Sequence, residues 1–94
     1  MITTTRGHFW ITFDNGYTVS VFNDYGSYSD NNFNTELAKS FLAGENAEVS
    51  SKNCEVAIIY ENMGLVNPLH WDDIVKGYIT PSELLEILNK VSKL

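Results

Sequence analysis

His8–Phe22, HFWITFDNGYTVSVF, decides the fold of this chain. Phe9, Ile11 and Phe13 alternate with His8, Trp10 and Thr12; after Asp14-Asn15-Gly16, Tyr17, Val19 and Val21 alternate with Thr18, Ser20 and Phe22. Period two in aromatic and β-branched residues marks paired strands, whose successive side chains point to opposite faces. Turn length sets the register. A two-residue Asn15-Gly16 loop would place Phe13 opposite Thr18 and Ile11 opposite Ser20, mixing apolar and polar residues on both faces. A three-residue loop, Asp14–Gly16, places Phe13 against Tyr17, Ile11 against Val19 and Phe9 against Val21, so all six share one face. Register follows the buried face, which selects the longer loop. Gly16 then closes a type I turn in the left-handed region, where a missing Cβ removes the clash. The outer face carries Trp10, Thr12, Thr18 and Ser20.

Downstream, Asn23–Asn34 (NDYGSYSDNNFN) is dense in turn formers. Thr35–Leu42 has helical spacing, with Leu37, Phe41 and Leu42 on one side, Asn34 or Thr35 as cap and Gly44 as stop. Glu55–Tyr60, EVAIIY, follows Cys54 and reads as a central strand buried on both faces. A turn at Glu61–Gly64 leads to a short strand at Leu65-Val66, which Pro68 ends or confines to an edge. Thr80-Pro81-Ser82-Glu83 is a capping box with proline at the first helical position. Leu84, Leu85, Ile87, Leu88 and Val91 form the stripe of the helix it opens. The expected architecture is α+β in the order ββ–loop–α–ββ–α: a small antiparallel sheet of two β-hairpins covered on one face by the C-terminal helix, in one domain over residues 1–94.

Twelve acidic residues face six basic ones, for a net charge of −6. The acids suit a solvated surface, or a patch that meets a basic partner such as a nucleic-acid-binding groove. Direct nucleic-acid binding is not expected, because phosphate contacts need clustered cations and Arg6, Lys39, Lys52, Lys76, Lys90 and Lys93 are dispersed. A lone Cys54 points to a reducing compartment. The start, MITTTRGHFW, shows no signal peptide, and no apolar run approaches the roughly 20 residues that span a bilayer, so no membrane association is expected.

Candidate chemistry is sparse. His70-Trp71-Asp72-Asp73 offers a base with an orienting carboxylate or part of a metal site, but one histidine and two adjacent acids are too few ligands at no recognised spacing. The structural alternative packs Trp71 and leaves the acids in water beside a turn at Gly77. Cys54 reads as a small hydrophobe rather than a nucleophile, and His8 as exposed or cross-strand paired. Asp30-Asn31-Asn32 lacks the remaining ligands of a calcium loop. No catalytic residue, metal or cofactor is expected. The better candidate is the tyrosine-rich loop. Tyr25, Tyr28 and Phe33 among Gly26, Ser27, Ser29, Asn31 and Asn32 have the mixture of a paratope, rigid aromatic area beside adaptable hydrogen bonding. Trp10 and Phe22 would extend it, and their exposure would suit a partner or a homodimer. The alternative is an Ω-type loop whose tyrosines fold back onto the core.

FDNGYTVSVFNDYGSYSDN, CEVAIIYENMG and VKGYITPSELLEIL together resemble a loose family of small bacteriophage and prophage proteins. Phe13, Asn15, Gly16, Tyr17, Ser20 and Val21 match its opening; Glu55, Val56 and Ala57 its middle; Gly77, Tyr78, Pro81, Glu83 and Leu84 its close. The chain departs from the pattern at Ser29, where a cysteine or aromatic follows the tyrosine. The resemblance implies a non-enzymatic phage accessory protein in the host cytoplasm. Its partner would be a host defence protein, such as a nucleic-acid-guided effector, inhibited in the manner of an anti-CRISPR. On that reading Tyr25, Tyr28, Phe33 and Trp10 anchor the contact, Asn31 and Asn32 hydrogen-bond, and Asp24, Asp30, Asp72 and Asp73 complement a basic channel. The alternatives are a small-ligand or nucleotide sequestering protein, with Trp10 or Tyr28 stacking on a base, a hydrolase using His70 with Asp72 or Asp73, and a virion component.

Overall fold

In the computed structural model, which describes residues 1–94, six strands form one antiparallel sheet. They are β1 (Ile2–Thr5), β2 (His8–Thr12), β3 (Tyr17–Phe22), β4 (Cys54–Tyr60), β5 (Leu65–Val66) and β6 (Val75–Ile79). Two helices complete the fold, α1 (Thr35–Leu42) and α2 (Pro81–Ser92). The order across the sheet is β1-β2-β3-β4-β5, with β6 also pairing with β4.

The central hairpin has the register that the apolar face demands: Phe9 faces Val21 and Ile11 faces Val19. Phe13 N–H donates to Tyr17 O at 2.8 Å and Gly16 N–H to Phe13 O at 3.1 Å, closing the three-residue turn with Gly16 at φ +91°. The turn is tied to the far end of the fold. Asn15 Nδ2 donates to Val91 O (2.8 Å) and so caps a terminal carbonyl of α2.

β4 is the axis of the sheet. It pairs with β3 along one side, and its other side is shared between β5 at Ile58-Ile59 and β6 at Cys54–Ala57. Its inward residues Cys54, Val56 and Ile58 join Val19, Val21, Ile79, Ile87 and Val91 in the buried core. Ala57, on the opposite face, is buried as well, whereas Ile59 is only half-buried. α2 covers the inward face. Thr80 Oγ1 accepts from Glu83 N–H, and Glu83 Oε1 accepts in return from Thr80 N–H (3.2 Å), the capping box read in the sequence.

The sheet has six strands, where two hairpins supply only four. β1, ITTT, is exposed throughout and has no apolar alternation, so periodicity does not mark it. β6, VKGYI, carries a bulge opposite β4, with Tyr78 at φ +55°. Gly77, expected in a turn beside exposed acids, therefore lies inside a strand. The α2 stripe is narrower than its sequence: Ile87 and Val91 are buried and Leu84 and Leu88 half-buried, but Leu85 faces solvent. α1 is capped by Asn34, whose side chain accepts from Leu37 N–H, and none of its residues is buried. No helix is long and apolar enough to cross a membrane.

Candidate functional site

The Asn23–Asn34 loop is built around buried polar groups. Asp24 is fully buried, and Ser27, Ser29 and Asn31 are buried beside it. Asp24 accepts from Arg6 through both carboxylate oxygens, from Nε at 2.9 Å and from Nη2 at 3.3 Å. The same guanidinium donates to Ser40 Oγ (2.6 Å), Glu45 O (2.9 Å) and Leu37 O (3.2 Å), so one arginine ties the β1–β2 turn, the loop and α1 together. Gly7 makes the approach feasible. Its φ is +61°, and a Cβ there would sit 2.5 Å from Asp24 Cβ. Within the loop, Ser27 Oγ donates to Asp24 O (2.7 Å), Asn32 Nδ2 to Ser27 O (2.7 Å), and Asn31 Nδ2 to both Asn23 O (2.8 Å) and Ser50 O (2.9 Å). No buried side-chain nitrogen or oxygen is left without a partner.

This polar plug is fastened to the sheet. Tyr28 N–H donates to Glu55 Oε1 (3.1 Å), Asp30 N–H to Asn53 Oδ1 (2.8 Å), and Tyr78 N–H to Tyr28 O (2.8 Å). Gly77 passes so close that a Cβ would meet Tyr28 Cβ at 2.6 Å. The result is an exposed aromatic surface carried on a hydrogen-bonded loop backbone. Phe33 is 89% exposed, Tyr28 52% and Tyr78 55%. A hollow of about 460 Å³ is lined by Ser29, Asp30, Asn32, Phe33, Asn34 and Tyr78. The aromatic side chains of this loop are therefore not folded back onto the core.

The proposed contact set divides. Tyr28, Asp30, Asn32 and Phe33 are gathered at the hollow or beside it. Tyr25 packs towards Phe41 of α1 (ring centroids 6.4 Å), whose ring lies 5.7 Å from the Arg6 guanidinium carbon. Asp24 and Asn31 are corrections: both are buried and bonded within the protein, so neither presents a surface group. Asp72 and Asp73 are exposed but line a different cavity of about 490 Å³ with His70, Lys76, Glu83, Glu86 and Lys90, and it shares no lining residue with the hollow. There Asp73 Oδ1 accepts from Ile74 N–H and Asn67 clasps the Trp71 backbone, whose indole packs against the core. Trp10 stacks on His8 at 3.9 Å on the outer sheet face. His8, Phe22 and Glu55 form one row across β2, β3 and β4, and Glu55 holds Tyr28, so this aromatic row leads to the loop.

Two titratable groups near this row are shifted. Burial lowers the His8 pKa below 6.5, opposed by the Glu55 charge, and its Nε2 lies 2.6 Å from Ser20 Oγ. Burial, with the Glu55 charge adding to it, pushes the Cys54 thiol up to about 11, and Sγ donates to Ile79 O at 3.6 Å. A thiol held protonated is a poor nucleophile. Tyr78 joins this surface without a local signal in the sequence, because the glycine and bulge of β6 mimic a turn. The Arg6–Asp24 tie, eighteen residues apart in sequence, has no local signal.

Compared with protein-family models, with curated proteins and with solved structures, the chain shows no match.

Proposed function

We propose that this chain is a non-enzymatic binding protein that engages a protein partner through Tyr28, Phe33 and Tyr78, with Asp30 and Asn32 as polar contacts. The observation that carries the reading is the exposure of Phe33, 89%, at the end of a loop whose buried side-chain polar groups are all hydrogen-bonded. A loop backbone already ordered by its own hydrogen bonds limits the ordering cost of association, and aromatic residues dominate binding hot spots. The net charge of −6 favours a partner with a basic surface. The resemblance to phage accessory proteins supports a host defence protein as that partner, a nucleic-acid-guided effector in the anti-CRISPR manner being the leading choice, encountered in the host cytoplasm.

The test is quantitative capture by the tagged protein from lysate of defence-carrying bacteria, with Phe33→Ser/Tyr78→Ser as comparator. A stoichiometric partner should be retained by the parent and lost by the variant, with both melting alike. Equal retention by the variant would remove the loop from the interface. Tyr25→Ala and Tyr28→Ala, made singly, separate the two sides of the loop, since Tyr28 is bonded to Tyr78 of the hollow and Tyr25 packs towards Phe41 of α1.

A further inference from the structure

One margin of the sheet is guarded and the other is not. On the guarded margin, β5 is only two residues long and Pro68 follows it. β6 carries a bulge and a lysine, and its Tyr78 N–H is taken by Tyr28 O at 2.8 Å. These are devices by which proteins keep edge strands from pairing with other chains. β1 has none of them. It is regular in register with β2, free of charge and proline, β-branched at all four positions and exposed throughout.

The ladder between β1 and β2 fixes what this edge offers. Met1 N donates to Thr12 O at 2.9 Å, and Thr12 N–H to Met1 O at 2.8 Å. Bonded and non-bonded pairs alternate along an antiparallel ladder, so Thr3–Trp10 and Thr5–His8 are the next bonded pairs. The N–H and C=O of Ile2 and Thr4 therefore point away from the sheet, and no loop backbone takes them up. These groups complement themselves. With Thr3 of one copy opposite Thr3 of another, Ile2 faces Thr4 and Thr4 faces Ile2, and each pair can exchange both bonds. A shift of two residues either way opposes Ile2 or Thr4 to itself and carries the other beyond the strand. On the inward face, Ile2, 71% exposed, then fits between Ile11 and Thr4 of the second copy. No side chain in Met1–Thr5 is charged, so two chains of net charge −6 can meet there without opposing like charges.

We propose that β1 pairs antiparallel with β1 of a second copy about a two-fold axis at Thr3, joining the two six-stranded sheets into one. Each copy has one such margin, so the assembly closes at the dimer. The paired strands are about 13 Å long, which puts the contact at the small end for a specific interface and makes the dimer weak and concentration-dependent. It does not involve the aromatic loop, and neither reading depends on the other.

The experiment is sedimentation equilibrium of the untagged chain from about 10 μM to 1 mM. The mass should climb from one copy towards two and no further. Thr4→Pro removes an outward N–H and no bond within the sheet. It should keep the melting temperature of the dilute protein and raise the dissociation constant of the dimer at least about tenfold. Thr3→Lys and Thr3→Glu each set like charges opposite one another across the axis and should be monomeric alone. Mixed, they should form a one-to-one heterodimer, a result that also decides the matter if Thr4→Pro does not fold. A parent that stays monomeric at every concentration would overturn the proposal and leave the edge to a strand of another protein. Dimerisation unchanged in Thr4→Pro, or a lysine–glutamate mixture that stays monomeric, would overturn the pairing through β1.

Discussion

Replacing Asp24 with alanine should remove a large part of the protein's stability. Asp24 is fully buried and the Arg6 side chain is 11% exposed, so neither charge is screened by solvent. Asp24→Ala removes the counter-charge and leaves the guanidinium with Ser40 Oγ, Glu45 O and Leu37 O, three neutral acceptors. It also strips the Tyr25 N–H of its 2.8 Å acceptor. Breaking a buried pair from one side costs about 3–5 kcal/mol. Domains of this size hold about 5–15 kcal/mol in total, and each kcal/mol moves their melting point by about 4–8 °C. The expected fall in melting temperature is thus on the order of 12–40 °C, read by circular dichroism. Urea midpoints should give the same ranking, and the loss should persist at about 1 M salt, where an exposed pair is screened. Removing both charges in Arg6→Met/Asp24→Leu should recover much of it, because the isolated buried charge carries most of the penalty. A single-variant cost below about 1 kcal/mol that disappears in salt would refute the argument, since that is how a solvent-exposed pair behaves.

Gly7→Ala should destabilise through the same contact. Its φ of +61° and the 2.5 Å approach to Asp24 Cβ predict a loss above about 2 kcal/mol in urea unfolding. Phe33→Ser should leave stability within about 0.5 kcal/mol while binding to the captured partner falls more than tenfold, measured by titration calorimetry. Thr80→Ala opens the capping box and should cost about 1 kcal/mol of unfolding free energy, measured by urea denaturation. His8 sets a pH dependence: its folded pKa lies below 6.5, so below that value the unfolded chain binds a proton that the folded ring resists. Its contribution is therefore complete above about pH 6.5 and declines as pH falls toward the folded value. His8→Gln should flatten the stability slope between about pH 7 and pH 5.

Legibility in the sequence followed how local each determinant was. The β2–β3 register and the α2 capping box depend on residues within a few positions of one another and read directly, and the α1 cap reads to within one residue, Asn34 or Thr35, of which the structure uses Asn34. β1 owes its place to pairing with β2, a partner that no pattern within Ile2–Thr5 announces. β6 combines a glycine, a left-handed Tyr78 and a bulge, features that mimic a turn until Cys54 and Ala57 are seen opposite it. The loop was legible as a surface of aromatic and amide residues, but not in which of its polar groups turn inward. Asp24 and Asp30 look alike in sequence. Arg6, reaching from the β1–β2 turn, takes the first inside, while the second stays exposed.

The polar interior of the loop explains why its surface can stay fixed. Ordering a residue costs about 1–2 kcal/mol in backbone entropy, and a twelve-residue segment without an apolar core has little burial to offset it. Each hydrogen bond contributes only about 1 kcal/mol net, but a buried donor or acceptor left unpaired loses more than that. Asp24, Ser27, Ser29 and Asn31 satisfy one another, the backbone and Arg6 in one arrangement, and any other arrangement of the loop strands part of the set. An apolar plug of equal volume would be as stable but would tolerate sliding, because dispersion contacts lack direction. The directional set fixes where Tyr28 meets the sheet at Glu55, and through Asn32 and Asn34 it holds the backbone on either side of Phe33. Stability alone does not require an 89% exposed phenylalanine at that position. A geometry held this firmly around an apolar group in water fits recognition better than it fits folding.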